Sequence, residues 1–334
     1  GADLFFNNLK VSSPKASVSL TGSEGWRMIS SPVAGTMSDL LDPIWTQGIS
    51  TGADVSTGDP NVFLWNNIST DQDYSAVSNL SGAFTAGQGY LVYVYADDDY
   101  DGSADAFPKT LSISGTENAV DVSPSLIGGN NSYFYLVGNP FATTIDFDAV
   151  SKTDLTDVAY VWDVNSEAGD GGKNSETATG SWKTWNGTTG DITDGLIAPF
   201  QGFFIQANTT GFPNPEITFG AASKSTGGTF LGKANKSTFA KARLEVSGKN
   251  VSNSMWLQFS ENGSASSHVM GDAVELQALS NSYAELAVVK GGELFDIAHL
   301  PITEKISLPI SFKTTESGLF TISASNFEIP SNMK

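Results

Sequence analysis

The chain has 334 residues, no cysteine and two histidines, and its 17 Lys and Arg against 36 Asp and Glu give a formal charge of −19. Without cysteine it forms no disulfide, thiolate metal site, iron–sulfur cluster or thiol nucleophile. Its acidity argues against the basic face that nucleic acid or an anionic membrane surface requires. A hydrophobic share of 40% supports real cores, while only 16% of residues are charged, so Ser, Thr, Asn and Gly must supply the polar surface, as in many extracellular β-proteins. The length points to two or three domains. No apolar run approaches the ~20 residues that span a bilayer. The opening Gly1-Ala2-Asp3 lacks an initiator Met, a basic start and an apolar leader, and reads as a mature or trimmed product.

Helical periodicity is nearly absent. From the N-terminus onward, runs rich in Val, Ile, Phe, Tyr, Trp and Thr alternate with clusters of Gly, Asn, Asp and Ser, the pattern of short strands joined by turns. Single helical turns are expected near 38–41 and 146–150. The strongest signal is an internal repeat. Trp26-Arg27-Met28-Ile29-Ser30-Ser31-Pro32-Val33 aligns with Phe134-Tyr135-Leu136-Val137-Gly138-Asn139-Pro140-Phe141. Val62-Phe63-Leu64-Trp65-Asn66 aligns with Ala159-Tyr160-Val161-Trp162-Asp163. Gly87-Gln88-Gly89-Tyr90-Leu91 aligns with Phe200-Gln201-Gly202-Phe203-Phe204, and Thr110-Leu111-Ser112-Ile113 with Glu216-Ile217-Thr218-Phe219. The spacing between matched segments varies because loops diverge faster than strands.

A stretch dominated by Lys, Ser, Thr and Gly at 221–241 reads as a linker, and a third set of strands follows from Ala242. The expected architecture is all-β: tandem β-sandwiches of jelly-roll or immunoglobulin-like type, two of them an internal duplication. The expected units are repeat 1 at 1–117, repeat 2 at 118–223, and a linker plus third sandwich-like domain at 224–334.

Two phrases, Gly25-Trp26-Arg27-Met28-Ile29-Ser30-Ser31-Pro32 and Pro199-Phe200-Gln201-Gly202-Phe203-Phe204-Ile205, resemble a repeated β-sandwich module of secreted surface proteins of Bacteroidota. That module commonly precedes the C-terminal sorting domain of type IX secretion. Residues 306–329 are similar to the β domain that usually comes just before it. The resemblance covers most of the chain and implies export to the cell surface or the extracellular space. It supplies no catalytic residues. The sorting domain itself is missing, and the pattern breaks off at Lys334, which would leave the third domain with an unpaired edge.

The sharpest local motif is Asp97-Asp98-Asp99-Tyr100-Asp101-Gly102-Ser103-Ala104-Asp105. Carboxylates at alternate positions of a tight loop converge on a hard cation, and Gly102 permits the turn. Asp97, Asp99, Asp101 and Asp105 are therefore candidate ligands of a structural Ca²⁺. The twelfth position is Pro108, so the bidentate Glu of an EF-hand is absent. A second acidic, glycine-rich loop at 163–172 has irregular spacing and reads as an insert. Trp65 and Trp162 fall at matching repeat positions and are expected in the core. Trp182 and Trp185, flanking Lys183 and Thr184, read as sharing one strand face that could form a ligand platform for sugars.

Catalysis has thin support. No Gly-x-Ser-x-Gly elbow surrounds a serine, His299 reads as a structural loop residue, and nothing singles out a glycosidase pair among the acids. The expected function is a non-catalytic structural or adhesive segment of a secreted bacterial surface protein, as a stalk or as a subunit of an extracellular filament or other assembly. Its partners would be other copies of itself, other surface proteins or glycans. The competing expectation is a carbohydrate-binding accessory region of an extracellular hydrolase.

Overall fold

A computed structural model describes residues 15–164, 180–208, 213–228, 230, 240–260, 263–301 and 307–328. The molecule is nearly all β. The first unit contains β1 (Lys15–Leu20), β2 (Gly25–Ile29), β3 (Val62–Trp65), β4 (Tyr74–Ala76), β5 (Tyr90–Val94) and β6 (Lys109–Ser114). Its one helical turn, α1 (Met37–Leu41), is capped by Thr36, whose side chain accepts from the Asp39 N–H, and it buries Met37, Leu40 and Leu41. The second unit contains β7 (Phe134–Gly138), β8 (Ile145–Asp146), β9 (Ser151–Thr153), β10 (Leu155–Val164), β11 (Gly180–Trp185), β12 (Leu196–Ile197), β13 (Gly202–Ala207) and β14 (Glu216–Thr218). Here the turn expected at 146–150 is a 3₁₀ helix over Phe147–Ala149, capped by Asp146.

The duplication is visible in topology and in register. The first unit has a four-stranded sheet of order β2-β5-β3-β4, and the second has β7-β13-β10-β11. These are the same order under the sequence alignment. Met28 faces Leu91 as Leu136 faces Phe204. Phe63 faces Leu91 as Tyr160 faces Phe204. Trp65 faces Tyr74 as Trp162 faces Trp182. Both pairs stand edge to face, at 4.9 and 5.4 Å.

The inner strands β5 and β13 are covered on both faces, which explains why they read as continuous apolar runs. Along β5, Tyr90, Val92 and Val94 enter the core of the first unit, while Leu91 faces the other way. Along β13, Phe203, Ile205 and Ala207 enter the core of the second unit, while Phe204 faces the other way. Leu91 and Phe204 meet, with Met28, Leu136, Tyr160 and Trp162, in a third core between the two sheets. The repeats therefore form a fused pseudo-dimer. Trp162 is fully buried as expected, whereas Trp65 is only half-buried and donates from Nε1 to the Phe134 carbonyl across the repeat boundary.

The third unit contains β15 (Ala240–Ser247), β16 (Ser252–Ser260), β17 (Ala273–Val274), β18 (Ala284–Lys290), β19 (Glu293–Pro301), β20 (Ile310–Thr314) and β21 (Thr321–Glu328). They form one sheet of order β20-β18-β19-β16-β15-β21, with β17 added to β19. β16 and β19 pair in parallel and the remaining pairs are antiparallel. Its core gathers Val246, Met255, Leu286, Val288, Phe295, Ala298 and Leu300. The sheet carries Trp256, Ala273 and Ile297 into the core between the repeats.

Candidate metal centre

The acidic loop leaves β5 and returns to β6. Asp97 is 1% exposed, and both its carboxylate oxygens accept backbone N–H groups, from Asp101 at 3.1 Å and Gly102 at 3.0 Å. Asp99 also accepts from Asp101 N–H, and Asp105 accepts from Asp98 N–H at 3.2 Å. Gly102 takes φ of 100°, the left-handed conformation the motif requires, and Tyr100 takes 61°. One carboxylate oxygen from each of Asp97, Asp99 and Asp105 falls within 4.8 Å of the others. Asp101 is not part of this group: its carboxylate turns away to accept from Ser103 N–H at 2.8 Å. Three of the four expected ligands thus converge.

The charge of this cluster is partly offset from the β6 side. Lys109 is 4% exposed and pairs with Asp98, and its Nζ lies 4.0 Å from Asp105. The Asp105 carboxyl is held below its ordinary range, chiefly by the Asp98 backbone N–H, with Lys109 adding to the effect. Three convergent carboxylate oxygens suit Ca²⁺, whose remaining positions backbone carbonyls or water would fill. Tyr100 stacks flat on Trp45 beside the loop, with centroids 4.6 Å apart, and nothing in the spacing of the two residues foretells that contact.

The structure corrects the expected platform. Trp182 and Trp185 are 5% and 6% exposed. A spacing of three puts them on opposite faces of β11, not on one face. Trp182 packs between the repeats and donates from Nε1 to the Gln277 carbonyl at 3.0 Å. Trp185 packs in the core of the second unit and donates to Asp148 at 2.8 Å. Both rings are structural, and neither offers a face to a sugar. Of the second acidic loop, residues 165–172 lie outside the described residues. Asp163, at its start, is half-buried near Lys183 and Arg27, and desolvation pushes its carboxyl up to about 6.

A group of polar side chains passed over in the sequence joins the second and third units. Asp191 accepts from Trp256 Nε1 at 3.0 Å and from the Ser254 hydroxyl at 3.1 Å, and lies 3.5 Å from Arg243. Asp296 is 2% exposed and accepts from the Thr184 hydroxyl at 2.6 Å. Burial pushes its carboxyl up to about 7, with Asp191 adding repulsion, and burial together with Asp296 pushes Glu275 well above the carboxylate range. Asn186 donates to Gln258 at 2.8 Å and to the Gly271 carbonyl. The available signal was an acid inside an apolar strand, Leu294-Phe295-Asp296-Ile297-Ala298.

His299 lies in β19, not in a loop, with Nδ1 2.8 Å from the Met270 carbonyl. His268 lies 3.9 Å from Glu293 and edge-on to Phe295. An open cleft of about 430 Å³ lies between Ser123–Leu126 and Asn214–Thr218, with Glu216 in its lining.

No curated protein and no solved structure matches the chain. The model of DUF8693, a domain of unknown function, matches residues 21–329, across all three units, and the chain belongs to that family.

Proposed function

We propose that the chain is a non-catalytic structural segment of a secreted bacterial surface protein, exported by the type IX route and stiffened by Ca²⁺ at Asp97, Asp99 and Asp105. The observation that carries this reading is the way its units are joined. Buried side chains lock repeat to repeat and repeat to third unit, where a string of independent modules would have flexible linkers. Such a body transmits force and holds its neighbours at a fixed orientation, which is what a stalk or a filament subunit requires. The resemblance to Bacteroidota surface modules supports the location, and the low charge density supports contact with other surface proteins or copies of itself. Burial of Trp182 and Trp185 removes the feature that favoured a carbohydrate-binding accessory region.

Single-molecule pulling on the chain tests the reading. A structural segment resists as one mechanical body and weakens when calcium is chelated. Three weak, separate, calcium-independent unfolding events contradict it. Antibody labelling of intact producing cells tests the location, and labelling only after lysis contradicts export.

A further inference from the structure

The third unit is open on one side. β20 and β21 are the two end strands of its sheet, and each pairs with one strand only among the described residues. Directly opposed residues of an antiparallel pair point to the same face. Phe312 opposes Leu286, Ile310 opposes Val288, and Ile322 opposes Val246. Leu286, Val288 and Val246 are fully buried in the core of this unit. Ile310, Phe312 and Ile322 therefore point toward the core, yet they are 46%, 39% and 52% exposed. Leu319, just before β21, is 90% exposed, and Phe312 meets Phe320 at 5.1 Å across the opening. Core-facing side chains in contact with water, between two strand edges that have no partner among the described residues, mark a sheet with room for a further strand.

We propose that the opening between β20 and β21 is filled by residues 4–11 of a second copy of this chain, added as a β-strand. The proposal rests on the assembly form of the reading above. Of the segments outside the described residues, 1–14 combines strand length with several large apolar residues. In an extended strand Phe5, Leu9 and Val11 share one face, which would enter the core, and Leu4 and Phe6 share the other. Residues 165–179 contain no large apolar side chain, 231–239 has only Leu231 and Phe239 at its two ends around a polar stretch, 302–306 is five residues long, and 329–334 carries Pro330, which cannot donate to a ladder. A strand over 4–11 matches the 8 residues of β21. Lys10 is the one charged residue of 4–11, so the added strand brings a positive charge to a −19 chain and does not increase its repulsion.

The donor is assigned to another copy: β1 packs in the core of the first unit and the opening belongs to the core of the third, and insertion of a chain's own residues 4–11 would leave the unmodified chain monomeric, which the test below counts against the proposal. Donor and acceptor are different surfaces, so the contact is head-to-tail and propagates.

The test uses the full chain in two forms. Leu9→Asp, combined with Phe5→Asp, disables the donor. Ile322→Arg, at a position that is 52% exposed, disables the acceptor, and an unchanged melting temperature shows that the variant folds. By light scattering after size exclusion, the unmodified chain forms dimers and larger species, and each variant alone is monomeric. A mixture of the two variants gives a capped pair with twice the monomer mass. A labelled peptide of residues 3–12 binds the donor-disabled chain and loses binding when Ile322→Arg is added. A monomeric unmodified chain at high concentration, or an unchanged mixture, overturns the proposal. Assembly that persists in the donor-disabled chain overturns the choice of occupant. Any of these results leaves the pulling and labelling tests standing, so the two readings fail separately.

Discussion

Gln88 and Gln201 make the same hydrogen bonds in opposite directions. Gln88 Nε2 donates to the Leu136 carbonyl at 3.0 Å and to its own Gly89 carbonyl at 2.8 Å. Gln201 Nε2 donates to the Met28 carbonyl at 3.0 Å and to its own Gly202 carbonyl at 2.8 Å. Gly138 N–H to the Gly87 carbonyl and Ser30 N–H to the Phe200 carbonyl complete the reciprocal set. The Gln-Gly pair, the most recognisable element of the repeat, is thus a clasp that reaches from each copy into the other. Phe200 shows its value. It takes φ of 66°, where its counterpart is Gly87 at 77°, and it offsets that strain by burying its ring in the core of the first unit.

Gln201→Ala removes two buried hydrogen bonds and is expected to cost about 1–3 kcal/mol in urea unfolding, whereas Gln88→Ala falls at the low end of that range, because Gln88 is half-buried and the Leu136 carbonyl keeps the Asn67 Nδ2 and Gly89 N–H donors. A loss of only a few tenths for both contradicts the clasp.

Calcium is expected to raise the melting temperature of the chain, and chelator to reverse it. At a hundred times its dissociation constant a ligand stabilises by about 2.7 kcal/mol. Asp99→Asn abolishes the response, while Asp101→Asn keeps most of it, because only Asp99 turns its carboxylate into the cluster. An equal response in both variants contradicts the geometry.

Asp296 and Asp163 both have carboxyls raised in the folded state, to about 7 and about 6. The folded chain therefore binds protons that the unfolded chain has released. Their contribution to stability is full below the ordinary carboxylate range and is lost as pH rises through about 6–7. Unfolding midpoints are expected to fall between pH 5 and pH 8, by on the order of 2 kcal/mol from Asp296. Asp296→Asn flattens the slope and raises stability at pH 8. A slope unchanged in that variant contradicts the assignment.

Trp182→Ala and Trp185→Ala each remove a buried ring together with a hydrogen bond, and are expected to destabilise by about 3–5 kcal/mol in denaturant unfolding. Full stability with a selective loss of sugar binding contradicts their structural role.

The all-β class, the duplication and the third strand set were legible because strand cores keep their apolar residues while loops drift. The alignment of Met28 with Leu136 and of Leu91 with Phe204 carried the register itself. The packing of one repeat on the other was not legible, since Leu91 and Phe204 look the same whether they face a private core or a shared one. Counting faces would have separated Trp182 from Trp185. The acid spacing of the loop pointed to Asp97, Asp99 and Asp105, but only geometry shows Asp101 bending back to Ser103. The Asp191 and Asp296 seam draws on residues from β11 to β19 and forms only once the third unit docks.

Differential scanning calorimetry in calcium, at a pH near 5.5, tests most directly whether the three units are one structural body. Coupled units melt in a single transition whose calorimetric and van't Hoff enthalpies agree, and Gln88→Ala with Gln201→Ala splits that transition. Two or three independent transitions in the unmodified chain would contradict the account.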